Sequence, residues 1–121
     1  MSSPMGYRSQ VLFWVEQPLV GRLLTALSTN KGAFDLLFKY GDREKTEEGH
    51  LSFYYDHIKW YSNMNKDVCH IEEFMTAVEE EDKEHLFGFH RLGEEFGDHE
   101  SRGSSQVYCA YPSQNLVFER Y

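Results

Sequence analysis

Val11-Leu-Phe-Trp-Val15 is apolar at five consecutive positions. Side chains on a strand alternate between its two faces, so this run is apolar on both. Tyr7, Ser9, Val11, Phe13 and Val15 share one face; Arg8, Gln10, Leu12, Trp14 and Glu16 share the other. A strand of this kind belongs at the centre of a sheet, covered on both sides or nearly so. The rest of the chain must supply that cover. Pro18 stands where a helix can begin, because its missing N–H would lack a helical partner there anyway. Leu19, Val20, Leu23, Leu24 and Leu27 then share one helical face. The spacing predicts a helix over residues 18–30, stopped at Asn30-Lys31-Gly32.

Beyond it the period changes to two. Phe34, Leu36, Phe38 and Tyr40 alternate with polar or apolar neighbours, which predicts a second strand over 33–40. The polar stretch Gly41 to Gly49 reads as a hairpin loop. His50 to Tyr61 is a third strand whose inner face begins as Leu51, Phe53 and Tyr55, then changes to Ile58 and Trp60. One reading of that phase change is a β-bulge near Asp56 or His57; the other is an aromatic, half-exposed side. Asn65 is a good helix N-cap and Asp67 suits the first turn. Val68, Ile71, Phe74, Met75 and Val78 form the buried stripe of a helix over 66–81. Residues 84–92 read as a strand, 93–103 as a loop, and 106–111 and 116–121 as two further strands.

The order β-α-β-β-α-β followed by one or two extra strands predicts an α+β fold. Its simplest form is ferredoxin-like: an antiparallel sheet with two helices on one face. The expected core includes Val11, Phe13, Leu23, Leu24, Leu27, Phe34, Leu36, Phe53, Ile71, Met75, Val78 and Val107. The helix-free face has two readings. Either it is an exposed aromatic surface for a partner or a second copy, or the last strands and long loops cover it.

A chain of 121 residues is expected to form one domain over 1–121. The formal net charge is −8, which opposes strong direct binding to a phosphate backbone. The N-terminus lacks the charged and apolar regions of a signal peptide. No apolar run approaches the roughly 20 residues needed to span a bilayer. The expectation is a cytoplasmic protein that engages no membrane. Cys69 and Cys109 belong to no Cys-x-x-Cys pair and are read as separate inward-facing thiols.

The six histidines invite a metal hypothesis, with His85, His90, Glu94, Glu95 and His99 close in sequence. Their spacings match no mechanism-bearing motif, and His85 and His90 would point to opposite faces of a strand. No metal or cofactor is expected. No nucleophile elbow, phosphate-cradling loop or zinc-protease helix is present, so the reading is not an enzyme. The less favoured alternative is a small metal-dependent catalyst built on His90, Glu94, Glu95 and His99.

Charge is the stronger signal. Residues 67–100 hold twelve acids and only Lys83 and Arg91 as bases, so this segment carries −10 and the remainder +2. Such a run is either the solvated side of a helix or a surface that steers a basic partner. On the second reading Glu79, Glu80, Glu81, Asp82, Glu84, Glu94, Glu95, Asp98 and Glu100 supply the attraction. Tyr54, Trp60 and Tyr61 are the aromatic residues expected to anchor a partner.

Met5-Gly-Tyr-Arg-Ser9, Lys59-Trp60-Tyr61, Val68 to Glu72, Phe89-His-Arg-Leu-Gly-Glu-Glu95 and Gly97-Asp-His-Glu100 carry a resemblance. In that order they resemble a diffuse group of small bacteriophage and prophage accessory proteins. On this likeness Met5 matches the usual start, and Met1 to Pro4 precede it as an extension. The resemblance implies a phage accessory product in the cytoplasm of a bacterial host, and brings no catalytic residues with it. By analogy with that class, the expected function is inhibition of a host nuclease or other nucleic-acid-targeting defence complex, of anti-CRISPR or anti-restriction type. Contact would be between proteins, as a nucleic-acid mimic. The alternative is a homodimeric module binding a small nucleotide signal between aromatic sheet faces.

Overall fold

The computed structural model describes residues 8–61 and 65–104. Among them the elements are β1 (Ser9–Val15), α1 (Gln17–Leu27), α2 (Lys31–Phe38), β2 (Asp42–Lys45), β3 (Leu51–Ile58), α3 (Lys66–Glu80), a 3₁₀ turn (Glu84–Leu86), β4 (Phe87–Gly93) and β5 (His99–Gly103). The fold is α+β. Five strands form one open antiparallel sheet in the order β2-β3-β1-β4-β5. No described helix is long and apolar enough to cross a membrane.

The doubly apolar β1 is the central strand, as its composition requires. β3 and β4 run antiparallel to it on either side. They are therefore parallel to each other, and α3 links them across β1. Val11, Phe13 and Val15 join Phe53, Tyr55, Phe87 and Phe89 in one core with the buried side chains of all three helices. Leu12 and Trp14, which face the other way, are each 1% exposed. Tyr54 and Leu92 are buried on that second face too. These side chains are buried and do not form an exposed aromatic surface; the last strands expected to cover this face lie outside the described residues.

The bulge at the end of β3 is present. Ser9 pairs with Ile58 and Val11 with Tyr55, so two steps along β1 oppose three along β3. The extra residue falls at Asp56–His57. Both side chains turn out to solvent from a strand whose first five residues are buried.

Residues 33–40 correct the sequence reading: most of them form a helix. The segment satisfies both periods, and eight residues are too few for periodicity to choose between them. Local hydrogen bonding decides it. Asn30 caps α2, its side-chain oxygen accepting from the Ala33 N–H at 3.1 Å. Lys31 pairs with Asp35 one turn on, at 2.8 Å, and Phe34 stacks on Phe38 with centroids 4.7 Å apart. Ala33 and Leu37 face the core, while Phe34 and Leu24, both expected inside, are 39% and 41% exposed. The hairpin partner of β3 is instead β2, four charged and exposed residues within the expected loop, which suits a sheet edge. The strand expected over 84–92 opens with the 3₁₀ turn, and the loop expected over 93–103 contains β5. Val107 and the expected strands over 106–111 and 116–121 lie outside the described residues.

Helix α3 begins as expected, with the Asn65 side chain accepting from the N–H groups of Asp67 (2.9 Å) and Val68 (3.3 Å). It ends in a Schellman motif: the Lys83 N–H donates to the Val78 carbonyl and the Asp82 N–H to that of Glu79. Asp82 occupies the left-handed position, at φ 58°, where glycine is the unstrained choice. Asp82→Gly is therefore expected to raise stability by about 0.5–1 kcal/mol, part of it from removing an acid at a helix C-terminus. A urea midpoint shifted upward with unchanged slope would show it; a downward shift would contradict it.

Candidate functional site

The acidic residues singled out by sequence fall in two groups along the chain. Glu79, Glu80, Glu81, Asp82 and Glu84 gather where α3 ends and β4 is about to begin. Glu94, Glu95 and Asp98 lie beyond the far end of β4, with Glu100 just inside β5. The seven residues of β4 separate Glu84 from Glu94 in the chain, but Glu100 lies two residues along β5 from Arg102, which binds Glu79. Strand β5 thus joins the α3 end to the β4–β5 turn.

Much of the charge at each end is already compensated. At the α3 end, Arg102 from β5 forks onto Glu79, with N–O distances of 2.6 and 3.2 Å, and also donates to the Thr76 hydroxyl at 2.9 Å. Arg22 from α1 forks onto Glu81, and that hydrogen bonding lowers the Glu81 carboxyl below its ordinary pKa. Carboxylates at a helix C-terminus oppose the helix dipole, and these two arginines offset that cost while tying α3 to α1 and β5. Glu80, Asp82 and Glu84 are exposed and make no ion pair among the described residues.

At the other end Arg91 is the organising cation. Its side chain is 16% exposed and bridges Asp98 (2.9 Å) and Glu100 (3.0 Å), and it donates to the Ser9 hydroxyl at 3.1 Å. Asp98 and Glu100 are therefore parts of the frame that holds the β4–β5 hairpin to β1. Glu94 accepts the Arg8 backbone N–H at 2.5 Å. The turn closes through the Asp98 N–H on the Glu95 carbonyl, with Gly97 at φ +85°. This geometry projects Phe96, which is 95% exposed.

Between the β3 bulge and this turn lies a groove of about 520 Å³. Gln10 and Leu92 line it, Asp56 and His57 contribute from β3, and Glu94, Phe96 and Arg8 complete it. Gln10 Nε2 and the Tyr54 hydroxyl each donate to Asp56 Oδ1 at 3.3 Å.

The expected aromatic anchors are placed differently. Trp60 is buried against Tyr55 and Phe89, its N–H donating to Glu72 at 3.0 Å. Tyr54 is buried on the second sheet face, and Tyr61 is half-buried beside the start of α3. Neither Tyr54 nor Trp60 is exposed, whereas Phe96 is. Cys69 is half-buried, with a free thiol. His90 lies on β4 with Nδ1 3.2 Å from the Ser101 hydroxyl, and burial holds its pKa below the ordinary value. Among the described residues no three His, Cys, Asp or Glu side chains are grouped to hold a metal ion.

Sequence reasoning missed the groove. Two signals pointed to it: the phase break at Asp56–His57, and a phenylalanine set in an otherwise acidic, glycine-flanked turn. No protein-family model, curated protein or solved structure matches the chain.

Proposed function

We propose that this chain is a small acidic interaction protein that binds and inhibits a nucleic-acid-handling partner through a basic protein surface. The fold reading that goes with it is a ferredoxin-like β-α-β-β-α-β core. In that reading α1 and α2 together take the place of the first helix, and β5 is added at the edge beside β4. The observation that carries the function is the segregation of charge: −10 within residues 67–100 of a chain that carries −8 in all.

The two ends do different work in this reading. Glu80, Asp82 and Glu84 act at a distance, raising the encounter rate with a cationic surface. The groove end supplies the contact, because aromatic side chains that become buried on binding are enriched at interfaces and carry much of their energy. The phage-type version of the proposal makes the partner a host nuclease or other defence complex of CRISPR or restriction type. Direct binding to nucleic acid is disfavoured by the same charge.

The test is retrieval of the tagged protein from a bacterial lysate, followed by a cleavage assay on what is retained. A nucleic-acid-targeting complex whose cleavage falls on adding the pure protein is the expected result. Retention of no such complex, or cleavage unaffected by stoichiometric protein, would overturn the proposal.

A further inference from the structure

We propose that the groove between the β3 bulge and the β4–β5 turn is a guanidinium pocket that takes an arginine side chain of the partner. This rests on the reading of the chain as a binder of a basic protein surface, and supplies the chemistry of its contact.

Two carboxylates line the groove, and each has capacity left. Among the described residues Asp56 Oδ1 receives only the two long bonds from Gln10 and Tyr54, and Oδ2 receives none. Glu94 uses Oε2 on the Arg8 N–H, and among the described residues Oε1 has no such bond. The bulge matters here, since an unbroken β3 would not present two consecutive side chains, Asp56 and His57, to solvent. Phe96 adds a ring that is 95% exposed, on a turn fixed by the Arg91 frame.

A planar, weakly hydrated guanidinium uses all of these. It donates a fork to a carboxylate and lays its face on an aromatic ring, while an ammonium group is compact and strongly hydrated. Arg8 lines the same groove, so with Asp56 and Glu94 the groove's formal charge is −1. Attraction by bulk charge is correspondingly small there, so directional recognition must dominate. An anionic ligand is disfavoured by that net charge.

The probes are hexa-arginine amide and hexa-lysine amide, titrated into the full chain at low salt by calorimetry and amide NMR shifts. The arginine peptide is expected to bind about tenfold tighter than the lysine peptide, with shifts at Gln10, Asp56, His57, Glu94 and Phe96. Asp56→Asn and Phe96→Ala, both at exposed positions, are expected to bring the two affinities together. Glu47→Gln with Glu48→Gln, in the β2–β3 turn, is expected to leave the preference unchanged. Equal affinities in the wild type, or shifts confined to the α3 end, would overturn the pocket and leave the basic-partner reading standing. Binding of neither peptide would overturn both.

Discussion

Replacing Gly88 with alanine is expected to destabilise the protein by about 2–3 kcal/mol, because it overpacks a site with no room to relax. Gly88 sits opposite Trp14 in the β1–β4 register. The indole lies across the glycine, so an added Cβ would clash with the Trp14 ring atoms Cε2, Cζ2 and Nε1. Trp14 is 1% exposed and belongs to the central strand, so neither the ring nor the backbone can move aside cheaply. The check is chemical denaturation of Gly88→Ala, Trp14→Leu and the double variant. The smaller residue at position 14 should relieve the alanine, making the double variant less unstable than the sum of the two singles. Additive losses would show that the ring does not set the requirement for glycine.

Arg91→Met is expected to cost about 2–3 kcal/mol, less than for a fully buried ion pair because Asp98 and Glu100 keep some solvent. The methionine fills much of the arginine's volume, so the loss comes from stranding the two carboxylates and the Ser9 hydroxyl. Restoring neutrality should therefore rescue it. Arg91→Met combined with Asp98→Asn and Glu100→Gln is expected to regain more than half of the lost stability, since removing both sides of an ionic contact costs far less than removing one. A triple variant as unstable as the single would place the cost in packing. Hydrogen exchange in β5 should rise in the single variant before it rises in β1 or β3, because the frame holds the hairpin end.

These residues also show what could be read from the chain in advance. Val11–Val15 announced a central strand because five apolar residues in a row leave a strand no solvent face. Asn65 with Val68, Ile71, Met75 and Val78 announced α3 because cap and stripe agreed. The phase change after Tyr55 located the bulge. Residues 33–40 misled because period-two and period-3.6 patterns coincide over eight residues, and only the Asn30 cap separates them. The site was less legible for a different reason. Arg22 reaches Glu81 across 59 positions and Arg102 reaches Glu79 across 23, and no local pattern shows which acids a distant arginine will neutralise. Trp60 and Tyr54 looked like surface anchors because aromatic residues on a strand suit either face, and burial alone tells them apart.

The most direct measurement is the association rate of the purified protein with the partner it retains, across a salt series. Wild type is compared with a variant carrying Glu80→Lys, Asp82→Lys, Glu94→Lys and Glu95→Lys. All four positions are exposed, so the variant is expected to fold, which its circular dichroism would confirm. Each single charge should matter little, at about 0–1 kcal/mol. The four reversed together are expected to slow association at least about tenfold at low salt, and added salt should bring the wild-type rate down toward the variant's. A folded variant that associates as fast and binds as tightly as wild type at low salt would contradict an acidic binding surface.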